Sequence, residues 1–204
     1  LSADDVLFLL HDATLERTSN GTGDARALDW QALSGLDAGG WHSAAYSGEP
    51  LASLEVIARY CLDNNFFLNI EIKPTPGLEG PTGTAVANAA ASLWPAGITP
   101  PLLTSFQPAS LEAARLAQPQ LPRGLLRDSL DAGWLDTAVR LECAAVVCNY
   151  RLWNEGTVRQ AKAAGLRTLC YTANESTAVQ AMLALGLDGI ITDQVHVFKP
   201  DEQH

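Results

Sequence analysis

From residue 67 onward, short apolar runs alternate with longer amphipathic or Ala-rich stretches, and this alternation constrains the fold more than any other feature of the chain. The runs are FLNIEI (67–72), LLTSF (102–106), RGLLR (123–127), AAVVCN (144–149), RTLCYT (167–172) and DGIIT (188–192). Each is too short for a helix and apolar enough to be a buried strand. The stretches near 82–94, 109–118, 131–141, 153–164 and 175–185 read as helices, and Gly165 and Gly186 stand where helix C-terminal caps belong. Strand followed by helix, repeated, requires a parallel sheet, because parallel neighbours need a long crossover. An open doubly wound sheet and a β/α barrel both satisfy the pattern. No Gly-rich phosphate turn follows any of the six runs, which disfavours the nucleotide-binding open sheet. The expected architecture is therefore a TIM-type β/α barrel.

At 204 residues the chain fits one domain, and its 47% hydrophobic content supports a core without disulfides or repeats. The first 50 residues break the alternation. The run VLFLL (6–10) reads as a strand leading into His11-Asp12, after which residues 13–50, rich in Gly, Ser and Asp, precede a helix expected to start near Leu51. An ordinary strand-to-helix loop has roughly 2–6 residues. Residues 13–50 thus read as an insertion, of the kind that builds the mouth of a barrel active site.

The net charge is −10, and residues 1–100 hold only 4 of the 13 Lys and Arg. A nucleic-acid groove is excluded on this balance, and an anionic substrate would need local attraction from a metal ion or a placed cation. Cys61, Cys143, Cys148 and Cys170 form no CxxC pair. All but Cys61 fall in runs that read as strands, so reduced, buried thiols and a cytoplasmic setting are expected. No apolar stretch reaches the ~18 residues of a membrane helix, so stable membrane insertion is not expected.

The polar residues concentrate at two strand ends. Period-two alternation sends Leu68, Ile70 and Ile72 to one face and Asn69, Glu71 and Lys73 to the other. In a barrel the second face looks inward, where a carboxylate and an ammonium are costly unless they bind something charged. Pro74 ends the strand, which places Glu71 and Lys73 at its carboxyl end, where barrel enzymes keep their chemistry. His11 follows five apolar residues and is flanked by a carboxylate, a setting suited to proton transfer. His42, His196 and His204 read as surface residues.

A family resemblance covers nearly the whole chain. His11-Asp12-Ala-Thr-Leu-Glu-Arg17-Thr-Ser-Asn-Gly-Thr-Gly23, Leu36-Asp-Ala-Gly-Gly-Trp41, Ile70-Glu71-Ile72-Lys73-Pro74, Thr104-Ser-Phe106, Tyr171-Thr-Ala-Asn174 and Gly186-Leu-Asp-Gly-Ile-Ile-Thr-Asp193 resemble, in order and spacing, the signatures of the glycerophosphodiester phosphodiesterase family. Leu102-Leu-Thr-Ser-Phe and Leu121-Pro-Arg-Gly-Leu-Leu are similar to the bacterial cytoplasmic members associated with glycerol-3-phosphate uptake. The resemblance implies metal-dependent hydrolysis of a small glycerophosphodiester to sn-glycerol 3-phosphate and an alcohol by histidine acid/base catalysis. It makes His11 the second catalytic histidine, guessed to be the general acid, Glu71 a ligand of Mg²⁺ or Ca²⁺, and Lys73 a substrate contact. Tyr171, where the family commonly has Trp, would form an apolar wall against substrate.

The same resemblance makes VLFLL an accessory strand and the six later runs barrel strands three to eight, with the insertion before the third. The family's first strand with His-Arg-Gly, and its second with a Glu-x-Asp pair of metal ligands, have no counterpart in these 204 residues. The expectation is thus one partial barrel domain over 1–204, a portion of a longer protein. Two alternatives stand beside it: a related barrel phosphodiesterase acting on lysophospholipids, hinted at by Trp41 and Tyr46, and a non-catalytic phosphate binder. Homo-oligomerisation is left open.

Overall fold

A computed structural model describes residues 1–198. Six strands, β1 (Asn69–Glu71), β2 (Leu102–Ser105), β3 (Arg123–Arg127), β4 (Ala145–Asn149), β5 (Arg167–Tyr171) and β6 (Gly189–Ile190), form one parallel sheet in the order of the sequence. Between them run α3 (Glu79–Leu93), α4 (Pro108–Ala117), α5 (Trp134–Arg140), α6 (Glu155–Ala163) and α7 (Ser176–Ala184), after α1 (Trp30–Ser34) and α2 (Leu54–Asp63). All six expected strands and all five expected inter-strand helices are present. Among the described residues β1 pairs only with β2, and β6 only with β5, so the sheet is an open arc.

The sequence signals explain the element ends. Asn154 and Thr157 form a reciprocal capping box that starts α6, and Ser53 caps α2 by accepting from the Val56 amide. Thus α2 begins at Leu54, three residues after its expected start. Gly165 and Gly186 follow α6 and α7 at φ 77° and 75°, a region closed to most side chains, and each donates back to a carbonyl of the last turn.

Two main apolar clusters cover the sheet's helical side. One joins β3–β5 to α4–α7 around Leu125, Val146, Trp134 and Trp153. The other joins β1 and β2 to α2 and α3 around Ile70, Ile72, Leu103 and Ala87. The first 51 residues have a small cluster of their own, in which Leu15 and Leu33 are fully buried against Phe8, Leu10 and Trp30. Within this segment the Asp37 carboxylate accepts hydrogen bonds from the Gly39 and Gly40 amides at 2.9 and 2.8 Å. Those to Gly40, Gly39 and Gly48, in that order, hold its carboxyl below the usual range.

Two expectations need correction. VLFLL is not a strand: Phe8 makes an isolated antiparallel bridge to Ser53, with Leu9 N–H donating to Ala52 and Leu54 N–H donating to Leu7. The run divides its apolar residues between two clusters, Leu7 in one and Phe8 and Leu10 in the other, and extends no ladder. Cys143 lies in the turn before β4 rather than in a strand, with its N–H donating to Ala138. All four cysteines are buried and unpaired, and burial pushes the Cys143 and Cys170 thiols up to about 11 and Cys148 to about 12. No helix among the described residues is long and apolar enough to cross a membrane.

Candidate active site

β1 presents its residues as the alternation requires. Ile70 and Ile72 are buried, whereas Glu71 and Lys73 face the open side at the carboxyl end. Buried Ser105 fixes this end by donating its hydroxyl to the Ile72 carbonyl at 2.7 Å, and the Ile72 amide donates to Thr104 at 2.6 Å. Lys73 Nζ lies 3.4 Å from a Glu71 carboxylate oxygen, both side chains being 33% exposed.

His11 reaches this strand end from 62 positions away. Lys73 Nζ is 3.0 Å from His11 Nε2, and His11 Nδ1 is 2.8 Å from Asp12 Oδ1. Arg17 donates to both Asp12 oxygens, through Nε to Oδ2 and through a terminal nitrogen to Oδ1 at 2.9 Å. The hydrogen bond from Arg17, and then that from His11, hold the Asp12 carboxyl well below the usual carboxylate range. Arg17, Asp12, His11, Lys73 and Glu71 therefore form a continuous chain of alternating donors and acceptors.

Two adjoining cavities share His11, Glu71 and Lys73 in their walls. The smaller, about 280 Å³, also has Arg26, Ser105, Phe106 and Gln107 around it. Arg26 pairs with Asp5 at 3.1 Å, and its Nη1 is buried without a hydrogen-bond partner. Arg26 is the middle residue of a single 3-10 turn, Ala25–Ala27, too short to leave a periodic signal in the sequence. The larger cavity, about 510 Å³, is mainly apolar, with Leu7, Phe8, Leu10, Trp41, Leu54 and Ile57 among its walls.

Tyr171 stands one ring back from the smaller cleft. It packs edge-on against Phe106 at 5.9 Å, and its hydroxyl donates to the Arg127 carbonyl at 2.9 Å. Burial, followed by the negative charges of Asp128 and Glu71, pushes its phenol up to about 12. The structure thus brings together His11, Glu71 and Lys73, and places Tyr171 behind Phe106, which lines the smaller cleft. His42 is exposed between Trp41 and Tyr46, and His196 is exposed as well. His204 lies outside the described residues.

A model of the glycerophosphoryl diester phosphodiesterase family matches residues 1–197. The chain belongs to that family. It is 28% identical over 200 residues to a glycerophosphodiester phosphodiesterase of Caldanaerobacter subterraneus subsp. tengcongensis, covering 95% of this chain and 79% of that protein. A Bacillus subtilis glycerophosphodiester phosphodiesterase is 26% identical over 212 residues, with 97% and 72% covered. The solved structure of an Oleispira antarctica phosphodiesterase in complex with the product sn-glycerol-3-phosphate superposes with a TM-score of 0.90 at 28% identity, over 95% of this chain and 78% of that one. The six strands of this glycerophosphoryl diester phosphodiesterase family member are accordingly an arc of the family's β/α barrel.

Acidic groups are sparse at the site. Among the described residues no three His, Cys, Asp or Glu side chains come together to hold a metal ion. Glu71 offers one hard oxygen donor of the kind Mg²⁺ and Ca²⁺ take. By themselves the described residues make no cage for either ion.

Proposed function

We propose that this chain carries one face of a site that hydrolyses glycerophosphodiesters to sn-glycerol 3-phosphate and an alcohol. The observation that carries the reading is the convergence of His11, Glu71 and Lys73 on one cleft at the carboxyl end of β1. In the net reaction water supplies the new oxygen on phosphorus, the P–O bond to the alcohol breaks, and a proton ends on the departing oxygen. In a chain of net charge −10, Lys73 and Arg26 are the local cations that offset long-range repulsion of the phosphate.

Proton transfer falls to His11 at Nε2, the ring nitrogen on the cleft side. Lys73 donates to Nε2, so this ammonium must shift onto a phosphate oxygen of the substrate before Nε2 can carry a proton. His11 can then take a proton from solvent at Nε2, becoming an imidazolium that the Asp12 carboxylate stabilises, and give it to the leaving alkoxide, which returns the ring to its neutral Nδ1–H form. Glu71 would serve as one ligand of a divalent cation, Mg²⁺ or Ca²⁺. When bound, the cation supplies Lewis acidity at the phosphate. Phe106, backed by Tyr171, gives the glycerol or alcohol portion an apolar wall. The four unpaired cysteines support a thiol-reducing, cytoplasmic setting.

A coupled assay for released glycerol 3-phosphate tests the reading. Glycerophosphocholine, glycerophosphoethanolamine and glycerophosphoglycerol should be accepted at similar rates, because the glycerol-phosphate half is common to them. One observation favours a second reading: the apolar cavity of about 510 Å³ beside His11, with half-exposed Trp41 in its wall, suits an acyl chain. Activity on lysophospholipids with none on glycerophosphocholine would replace the first reading with the second.

A further inference from the structure

Arg17 and Asp12 belong to a sequence motif to which the proposed reaction assigns no direct contact with substrate, yet their side chains terminate the hydrogen-bond chain that ends at Lys73. Lysine offers only donors, and an ionised carboxylate only acceptors. His11 is held between one of each, so both neighbours demand the same neutral tautomer, with hydrogen on Nδ1 and a lone pair on Nε2. A carboxylate on a largely exposed loop has several rotamers; the side chain of Asp12 is 28% exposed, those of His11 and Arg17 69% and 56%. The planar guanidinium of Arg17 holds both of its oxygens and removes that freedom.

We infer that Arg17 is a positioning residue for the reaction: clamped in two places, Asp12 sets both the tautomer and the ring orientation of His11 and so aims Nε2 into the cleft. Arg17 lines neither cavity of the site. The depressed carboxyl of Asp12 agrees with this role, since it stays ionised throughout the range in which imidazole titrates. The inference rests on the proposed reading of His11 and extends it two residues outward.

The ring nitrogens of His11 provide a readout independent of turnover. In ¹⁵N spectra of the 204-residue chain at neutral pH, with His11 assigned through His11→Gln, Nδ1 should be protonated and Nε2 not. Asp12→Asn and Arg17→Met should each convert this to a tautomer mixture, while Arg17→Lys, which keeps one charged contact, should restore the parent pattern in part. In turnover, Arg17→Met should lower kcat roughly 10- to 100-fold with KM little changed, a loss of the size found when the partner orienting a metal-binding histidine is removed. If Arg17→Met leaves both the His11 spectrum and kcat at parent values while His11→Ala abolishes turnover, Arg17 is not a positioning residue and the proposed function stands. If the tautomer responds as expected but His11→Ala keeps full turnover, the orienting clamp is real and the catalytic reading of His11 is the part that fails.

Discussion

Lys73→Met separates what the Lys73 ammonium does for folding from what it does for phosphate. In the folded chain Lys73 contacts Glu71 at 3.4 Å and His11 at 3.0 Å, with both Lys73 and Glu71 one-third exposed. Solvent screening at that exposure limits the ion pair to about 0.2–1 kcal/mol. For a domain of this size, such a change lowers Tm by no more than about 4 °C. Met has the length and flexibility to keep the stem's packing. The functional cost is larger. A hydrogen bond from an ammonium to a phosphate oxygen contributes about 1.5–3 kcal/mol, which is roughly 10- to 150-fold in kcat/KM. Thermal unfolding and the glycerol 3-phosphate assay, run side by side, give both numbers, and inhibition by inorganic phosphate should weaken along with kcat/KM. A variant within threefold of the parent in kcat/KM refutes the phosphate contact. A Tm loss well above 4 °C would show that the ammonium is needed for the fold, and that the screening argument is wrong.

Three further outcomes are expected. His11→Ala should slow hydrolysis of glycerophosphocholine by about 10² to 10⁴, and should slow a nitrophenyl analogue much less, because a phenolate leaves without a proton; equal losses on both substrates would remove the acid role. Glu71→Gln should lower turnover of glycerophosphocholine while Tm stays near the parent's, and parental turnover would show that the Glu71 carboxylate is not needed at the site. Gly83→Ala should destabilise the protein by about 1–3 kcal/mol in denaturant titration, because its new Cβ would sit 2.2 Å from the Ser110 carbonyl oxygen where α3 crosses the start of α4; parental stability would mean that the two helices separate at little cost.

How far the sequence could be read depended on the range of the interaction involved. RGLLR at 123–127 and the apolar run through Val146, Val147 and Cys148 state their strands locally, because a strand covered by helices needs nothing but apolar residues in a row. Glu71 and Lys73 were legible for a similar reason, since the alternation with Ile70 and Ile72 decides their face. VLFLL has the same composition but no ladder to join, and a single bridge to Ser53 is all it forms. The His11–Lys73 contact spans 62 residues, and no local period encodes it. The Arg17–Asp12 clamp spans five residues in an irregular loop, where neither helical nor strand periodicity applies. Tyr171 was legible as an aromatic residue near the site, but its place behind Phe106 depends on the packing of two separate strand ends.

The sequential strand order bears on how the chain is built. Each strand of the sheet finds its partner in the next strand along the chain, so every pairing closes a loop of one helix and its turns. Such contacts are cheap in loop-closure entropy and form quickly. The fully buried middle of β4, with Val146, Val147 and Cys148 at 0% exposure, is where amide hydrogen exchange should be slowest. The histidine and the lysine of the cleft have no such advantage. They lie on opposite sides of residues 13–50, so their contact depends on how that segment packs around Leu15 and Leu33. The sheet can therefore be complete, and protected from exchange, while His11 and Lys73 are still out of register.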